Sequence, residues 1–135
     1  MATFKRFEDI QAWKKARQAT RRVYELTGES TFARDFGLRD QLRRAAVSVM
    51  ANIAEGFGRW NSRDFARFLA IASGSLRELE THLVIVRRLG VVPGARVDEV
   101  LPHCDELAKM LFKMRQRVLT NGNRAEQVRN QTPSS

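Results

Sequence analysis

The 135-residue chain has little of what many small proteins use for cross-linking or membrane insertion. Its one cysteine, Cys104, cannot form a disulfide within the chain, which excludes a disulfide scaffold and predicts a reducing compartment. No apolar run approaches the roughly 20 residues that cross a bilayer. The first ten residues lack the apolar segment of a secretory signal. We therefore expect a cytoplasmic protein without a membrane span.

Proline and glycine are also scarce, with three and eight residues respectively, and most of them stand where a helix would end. β-branched and aromatic residues do not alternate with polar ones for more than a few positions, which argues against strands. A chain of this length can bury a core of its own without disulfides or metals. These features predict a single, all-α domain.

Apolar residues at intervals of three and four predict four amphipathic helices. The predicted helices cover residues 7–27, 38–57, 62–89 and 98–121. Helices of this length and pattern are typical of an antiparallel, up-down four-helix bundle, which we expect to occupy residues 1–121. The segment 122–135 is polar and has no core-forming face, so it is predicted to be a disordered tail.

Positive charge exceeds negative charge, with 24 Lys and Arg against 15 Asp and Glu, giving a net charge of +9. The excess is densest on the first helix, and arginine, which binds phosphates in bidentate fashion, supplies most of it. The predicted nucleic-acid-binding cluster is Lys14, Lys15, Arg17, Arg21 and Arg22. Any one of these residues could equally be part of a solvated helix face. Together they favour an electrostatic surface for nucleic acid.

The second helix has more apolar surface than one core requires. Besides the main apolar arc, Val47, Ala51 and Ala54 form a second arc of small residues, which predicts contact with a neighbouring subunit and therefore a homo-oligomer. Between the two arcs is a polar stripe of six residues. The stripe consists of Gln41, Arg44, Ser48, Asn52, Glu55 and Arg59. It is either a half-buried network that fixes helix register, with Glu55 paired to an arginine, or the lining of a groove or central channel that contacts a ligand.

No motif for catalysis, cofactor binding or metal binding is found. His82 follows Glu78 by four residues and not by the three that a di-iron bundle requires, and a lone cysteine offers no zinc site. The triplet Ser73, Gly74, Ser75 lies within a helical pattern that continues without a break on both sides. Close helix packing is therefore its expected role. We therefore predict no cofactor, no metal and no catalytic residue.

Three segments resemble a known family. They are FEDIQAW, QLRRAAVSVMANIAEGFGR and DFARFLAIASGSLRELETHL. They are similar to a family of bacterial four-helix-bundle proteins whose founding members are encoded within intervening sequences of large-subunit ribosomal RNA genes. The resemblance covers residues 4–120. The family includes the accessory variability protein of diversity-generating retroelements, a homopentamer that binds nucleic acid and a reverse transcriptase, so the resemblance implies a pentamer.

Three hypotheses about function follow. The leading one is a non-enzymatic homo-oligomer that binds RNA or DNA through backbone phosphates with little sequence selectivity. The alternative is a protein-interaction scaffold that recruits a nucleic-acid enzyme such as a reverse transcriptase. An enzyme is the least favoured hypothesis, because its only candidate residues are in the row formed by Ser48, Asn52 and Glu55.

Overall fold

The structure, a computed structural model, describes residues 6–59 and 61–131, without the side chains of Asp9, Ala33 and residues 123–131. Its helices are α1 (Gln11–Thr27), α2 (Phe36–Phe57), α3 (Ser62–Leu89), α4 (Gly94–Asp98) and α5 (Leu101–Gln131). Short 3₁₀ turns at Phe7–Asp9 and Ser30–Arg34 precede α1 and α2. These ranges contain four long helices, one short helix and no strand, which confirms the all-α class.

The four long helices enclose one hydrophobic core. Helix α1 contacts α2 and α5, and α3 contacts the same two helices from the other side. The buried positions follow the predicted spacing: Leu69, Leu76 and Leu83 of α3 are almost completely buried. Burial of each such leucine stabilises the fold by about 1.5–3 kcal/mol, so the apolar seams are the main source of stability.

Helix α3 begins and ends where the sequence predicts. The side chain of Asn61 accepts a hydrogen bond from the Asp64 N–H at 2.8 Å, which satisfies one of the unpaired donors of the first turn. Gly90 follows the last residue with a φ of 67°, a left-handed conformation that glycine adopts without a steric penalty. Helix α2 starts two residues earlier than predicted, because Asp35 caps it by accepting from the Leu38 N–H at 3.0 Å.

The C-terminal half differs more from the sequence prediction. The short helix α4 was not predicted, and Asp98, the first residue of the fourth predicted helix, is the last residue of α4 and accepts a hydrogen bond from Arg87. Helix α5 continues to Gln131, past the expected end at residue 121. Gly122, which follows the predicted end of the last helix, lies inside α5, where a Cβ would come within 2.6 Å of Ser62 Cβ. The glycine thus permits close approach of α5 to α3. The division into a bundle (1–121) and a disordered tail (122–135) stays a prediction.

Close helix packing at Gly74 was also expected, and within the described part of the chain that expectation is wrong. A Cβ built on Gly74 would meet no atom within 4 Å, so this face of α3 is open. The neighbouring Ser75 faces α2, and its hydroxyl lies 2.8 Å from the Ser48 hydroxyl of that helix.

Candidate functional site

Helix α1 presents a basic outer surface because most of its apolar residues lie on the opposite side, in the core. These residues, Ala12, Ala16, Ala19, Val23 and Leu26, are buried. Lys14, Arg17 and Arg22, three of the five predicted cations, are exposed. Among the described side chains, no carboxylate lies within 4 Å of them.

Arg21, the fourth predicted cation, forms an i,i+4 ion pair with Glu25, with a distance of 3.2 Å between Arg21 Nε and Glu25 Oε1. The Arg21 side chain is 83% exposed. Exposed pairs of this kind contribute about 0–1 kcal/mol, since water competes with the partner. The guanidinium group of Arg21 therefore remains accessible to another anion.

Lys15, the fifth predicted cation, has a different environment. Its ammonium group lies 2.7 Å from Glu106 Oε2 and 2.9 Å from His103 Nδ1, both on α5, and its side chain is 12% exposed. The lysine donates to both groups, so Nδ1 of His103 is an acceptor. Lys15 thus connects α1 to α5 and is not presented to solvent as the other four cations are.

Both partners of Lys15 have pKa values below their usual ones. Burial, followed by the positive charges of Lys15 and Arg22, lowers the pKa of His103. The hydrogen bond and charge of Lys15 lower the pKa of Glu106. Both effects favour a neutral imidazole and a charged carboxylate, which is the combination that a lysine donor binds best. His103 and Glu106 were not predicted as partners, because sequence spacing does not show which residues of two helices meet.

The polar stripe of α2 divides into two parts. Ser48 and Asn52 lie half-buried at the α2–α3 contact: the Asn52 amide donates to the Ser48 carbonyl at 2.8 Å and to its hydroxyl at 3.1 Å, and the same hydroxyl meets Ser75. No buried side-chain polar atom lacks a hydrogen-bond partner in the described chain. These two residues therefore form a small network between helices.

The charged residues of the stripe lie further out and pair within the chain. Arg59 contacts Glu55 at 2.6 Å, and Arg44 contacts Glu78 of α3 at 3.5 Å. The Arg59 guanidinium also lies 4.6 Å from the ring centre of Phe68. Because the acids offset the arginines, this part of the surface carries less unbalanced charge than the outer face of α1.

An open apolar groove of about 430 Å³ runs between α1 and α2. It is lined by Trp13, Thr20, Tyr24, Val47, Met50, Ala51 and Ala54. The predicted second arc of α2 therefore forms one wall. Trp13 and Tyr24 form the other wall, which was not predicted because sequence spacing does not show which residues of α1 lie beside α2. Val47 and Tyr24 are 43% and 44% exposed, so the described part of the chain does not cover this groove.

Other reactive groups are not arranged as a site. Cys104 is fully buried, and burial raises the pKa of its thiol to about 12, which keeps the sulfur protonated. In the described residues, no group of three His, Cys, Asp or Glu side chains is placed to hold a metal ion. No described helix has the length and apolar content needed to span a membrane.

The fold and parts of the sequence are similar to those of known proteins. A family model described as 23S rRNA-intervening sequence protein matches residues 8–113. The crystal structure of a protein of unknown function from the S23 ribosomal protein family of Bacteroides thetaiotaomicron has 22% identity and a TM-score of 0.70, and the match covers 76% of this chain and 96% of that chain. At this identity, the likeness shows a shared fold. None of the curated proteins is significantly similar to the chain.

Proposed function

Because the chain belongs to the 23S rRNA-intervening sequence protein family, we propose that it is a non-enzymatic homo-oligomer of the cytoplasm that binds RNA or DNA through backbone phosphates with little sequence selectivity. The observation that carries the proposal is the outer face of α1, where Lys14, Arg17 and Arg22 are exposed without a carboxylate partner among the described side chains. The net charge of +9 supports it, because the whole chain would attract a polyanion.

The expected chemistry is ion pairing with release of counterions. Each phosphate that a cation neutralises releases counterions from the nucleic acid, so the logarithm of the binding constant falls with the logarithm of salt concentration, by about 0.9 per contact on duplex DNA. Phosphates are common to all sequences, and contacts to them therefore fix position without reading bases. This mechanism predicts similar affinity for unrelated sequences of equal length.

Fluorescence anisotropy with labelled oligonucleotides of random sequence tests the proposal. We expect binding at 50 mM salt that weakens by about 10³-fold or more at 200 mM, since several cations per oligomer take part. The variant Lys14→Gln/Arg17→Gln/Arg22→Gln should bind more weakly and with a smaller salt slope. A matched control is Arg63→Gln/Arg77→Gln/Arg88→Gln, which removes three exposed cations from α3. No association at low salt, with either RNA or DNA, would contradict the proposal.

We also propose that the four long helices form an antiparallel up-down bundle and that five such bundles assemble. Three contacts support the direction of α2 against α3, because the residue number falls in α3 as it rises in α2: Arg44 meets Glu78, Ser48 meets Ser75, and Gly56 lies against Phe68. The open groove between α1 and α2 supports assembly, because an apolar groove of this kind is stabilised when a second protein surface fills it.

A further inference from the structure

We propose that α5 completes the phosphate-binding surface, so that one nucleic-acid backbone lies along the line where α1 and α5 meet. The α1 side contributes Arg22, which follows Lys15 by seven residues and so lies within about 20° of it on the helix. Lys14 lies on the adjoining outer face of α1. The α5 side contributes Lys109, Lys113 and Arg117. The inference rests on the proposed function and names the second half of its binding surface. The ligand class is a continuous polyphosphate strand, in contrast to a single phosphate or a small nucleotide.

The ion pair between Lys15 and Glu106 places these α5 residues. Glu106 lies on the side of α5 that meets α1, since its carboxylate is 2.7 Å from the Lys15 ammonium. Lys113 and Arg117 follow Glu106 by seven and eleven residues, which on a helix of 3.6 residues per turn returns them to within about 20° of the same direction. Lys109 lies almost one turn from Glu106. All three cations are exposed.

The three α5 cations are available for an external anion. Among the described side chains, none of them has a carboxylate within 4 Å, and Glu106, an acid on the same face, is bound by Lys15. The arginines at the α2–α3 face are different. There Arg44, Arg59 and Arg67 each lie within 4 Å of a carboxylate, contributed by Glu78, Glu55 and Asp64 respectively. The α1–α5 face therefore carries a row of exposed cations without a carboxylate partner among the described side chains.

The length of this face suits a strand and not a single group. In an antiparallel bundle, Arg22 and Arg117 lie on opposite sides of the Lys15–Glu106 contact. The seven residues from Lys15 to Arg22 and the eleven from Glu106 to Arg117 then rise about 27 Å in total. One strand of a duplex carries a charge about every 3.4 Å along the axis, so the face spans roughly eight phosphates. An isolated phosphate would contact only a small part of it.

The test compares two full-length variants that lose the same charge from different faces. Lys109→Gln/Lys113→Gln/Arg117→Gln removes the α5 row, and Arg63→Gln/Arg77→Gln/Arg88→Gln removes three exposed cations from α3. For both, anisotropy with a labelled 20-nucleotide strand and with a 20-base-pair duplex gives the salt slope of binding. We expect the α5 variant to lose about two to three units of slope on the duplex, with the α3 variant losing less than one.

The outcomes separate this inference from the proposed function. Failure of the wild-type chain to bind either probe at low salt overturns both. If the wild-type chain binds and the Lys14/Arg17/Arg22 variant binds more weakly, while the α5 and α3 variants have equal slopes, only the inference is overturned. Circular dichroism should show equal helicity and melting temperatures in all variants, because every substituted side chain is exposed. If the α5 variant does not fold, the single variants Lys109→Gln, Lys113→Gln and Arg117→Gln that remain folded take its place in the comparison. Salt slopes equal to that of the α3 control in these single variants would overturn the inference.

Discussion

Gly56 and Gly74 are both helical, but their surroundings differ completely. A Cβ on Gly56 would lie 2.8 Å from Phe68 Cβ and 3.0 Å from Phe65 Cδ1, which is too close for α3 to keep its position. A Cβ on Gly74 would meet nothing within 4 Å in the described chain. The same residue type therefore permits a close helix contact at one position and only lowers helix propensity at the other.

This contrast gives opposite predictions for alanine. Gly56→Ala gains about 0.5–1 kcal/mol of helix propensity but forces two phenylalanines to move, at a cost of about 1–3 kcal/mol. We expect a net loss of stability of roughly 1 kcal/mol, within a range of about 0–2.5 kcal/mol. Gly74→Ala should raise the free energy of unfolding of a single chain by about 0.5–1 kcal/mol. Urea unfolding monitored by circular dichroism measures both. A destabilised Gly74→Ala chain at concentrations too low for assembly would contradict the open environment of this site.

At the scale of helices, the contact of Lys15 with His103 and Glu106 makes the packing of α1 on α5 sensitive to pH. The pKa of His103 is below its usual value of 6.5 in the folded chain, because burial and nearby cations disfavour the charged ring. The unfolded chain therefore binds this proton more readily. The contribution to stability is fully present above about pH 6.5 and is lost as the pH falls through the folded pKa.

His103→Gln removes this proton site while keeping an oxygen that can accept from Lys15. We expect its free energy of unfolding to vary less than that of the wild type as the pH falls from 7 towards 5. His82→Gln is the matched control, because it replaces the other histidine of the chain and leaves the contact between Lys15 and His103 intact. Both variants should lose stability at lower pH, where Glu106 and Asp98, whose pKa values are lowered by Lys15 and Arg87, become protonated. Equal slopes in His103→Gln and wild type would contradict the prediction.

Helix spacing predicted the parts of the fold that depend on one helix at a time. The apolar seams predicted the four long helices, and α3 has the predicted bounds, since its start and stop signals at Asn61 and Gly90 are local. The five residues of α4 are too few to show a period. The last helix was predicted to end before Gly122, because a glycine that ends a helix and a glycine that allows a neighbouring helix to approach look alike in sequence.

The parts of the candidate site that depend on a single helix were also predictable from the sequence. The charge of α1 was visible in the sequence, as was the small-residue arc of α2. The engagement of Lys15 by α5 was not, because it depends on which faces of two distant segments meet. Only the α2 wall of the groove was predicted, for the same reason. Val47 was identified from the pattern of α2 alone, whereas the role of Tyr24 depends on how α1 packs beside α2.

At the scale of the whole molecule, the groove between α1 and α2 is the surface through which the proposed oligomer would assemble. Val47 and Ala51 line it and are exposed in the single chain, so polar replacements there should leave the bundle intact. In the proposed oligomer, the same positions would be buried against a neighbouring copy, and burying an amide without a hydrogen-bond partner costs about 1–3 kcal/mol at each. Substitution in the groove therefore separates folding from assembly.

We expect Val47→Gln/Ala51→Gln to reduce the mass measured by light scattering from that of an oligomer towards the 15.5 kDa of one chain, with unchanged helicity. Ile85→Gln is the control, because Ile85 is comparably exposed, at 40%, but lies on α3 away from the groove. Separation into single chains should also weaken nucleic-acid binding by about 10²-fold or more, since linked binding surfaces act on one strand at a high effective concentration. A groove variant that keeps the wild-type mass, or a wild-type chain that is already monomeric, would show that this groove does not join subunits. Because glutamine is uncharged, these substitutions leave the net charge of each chain unchanged. A loss of nucleic-acid binding would therefore result from the loss of assembly.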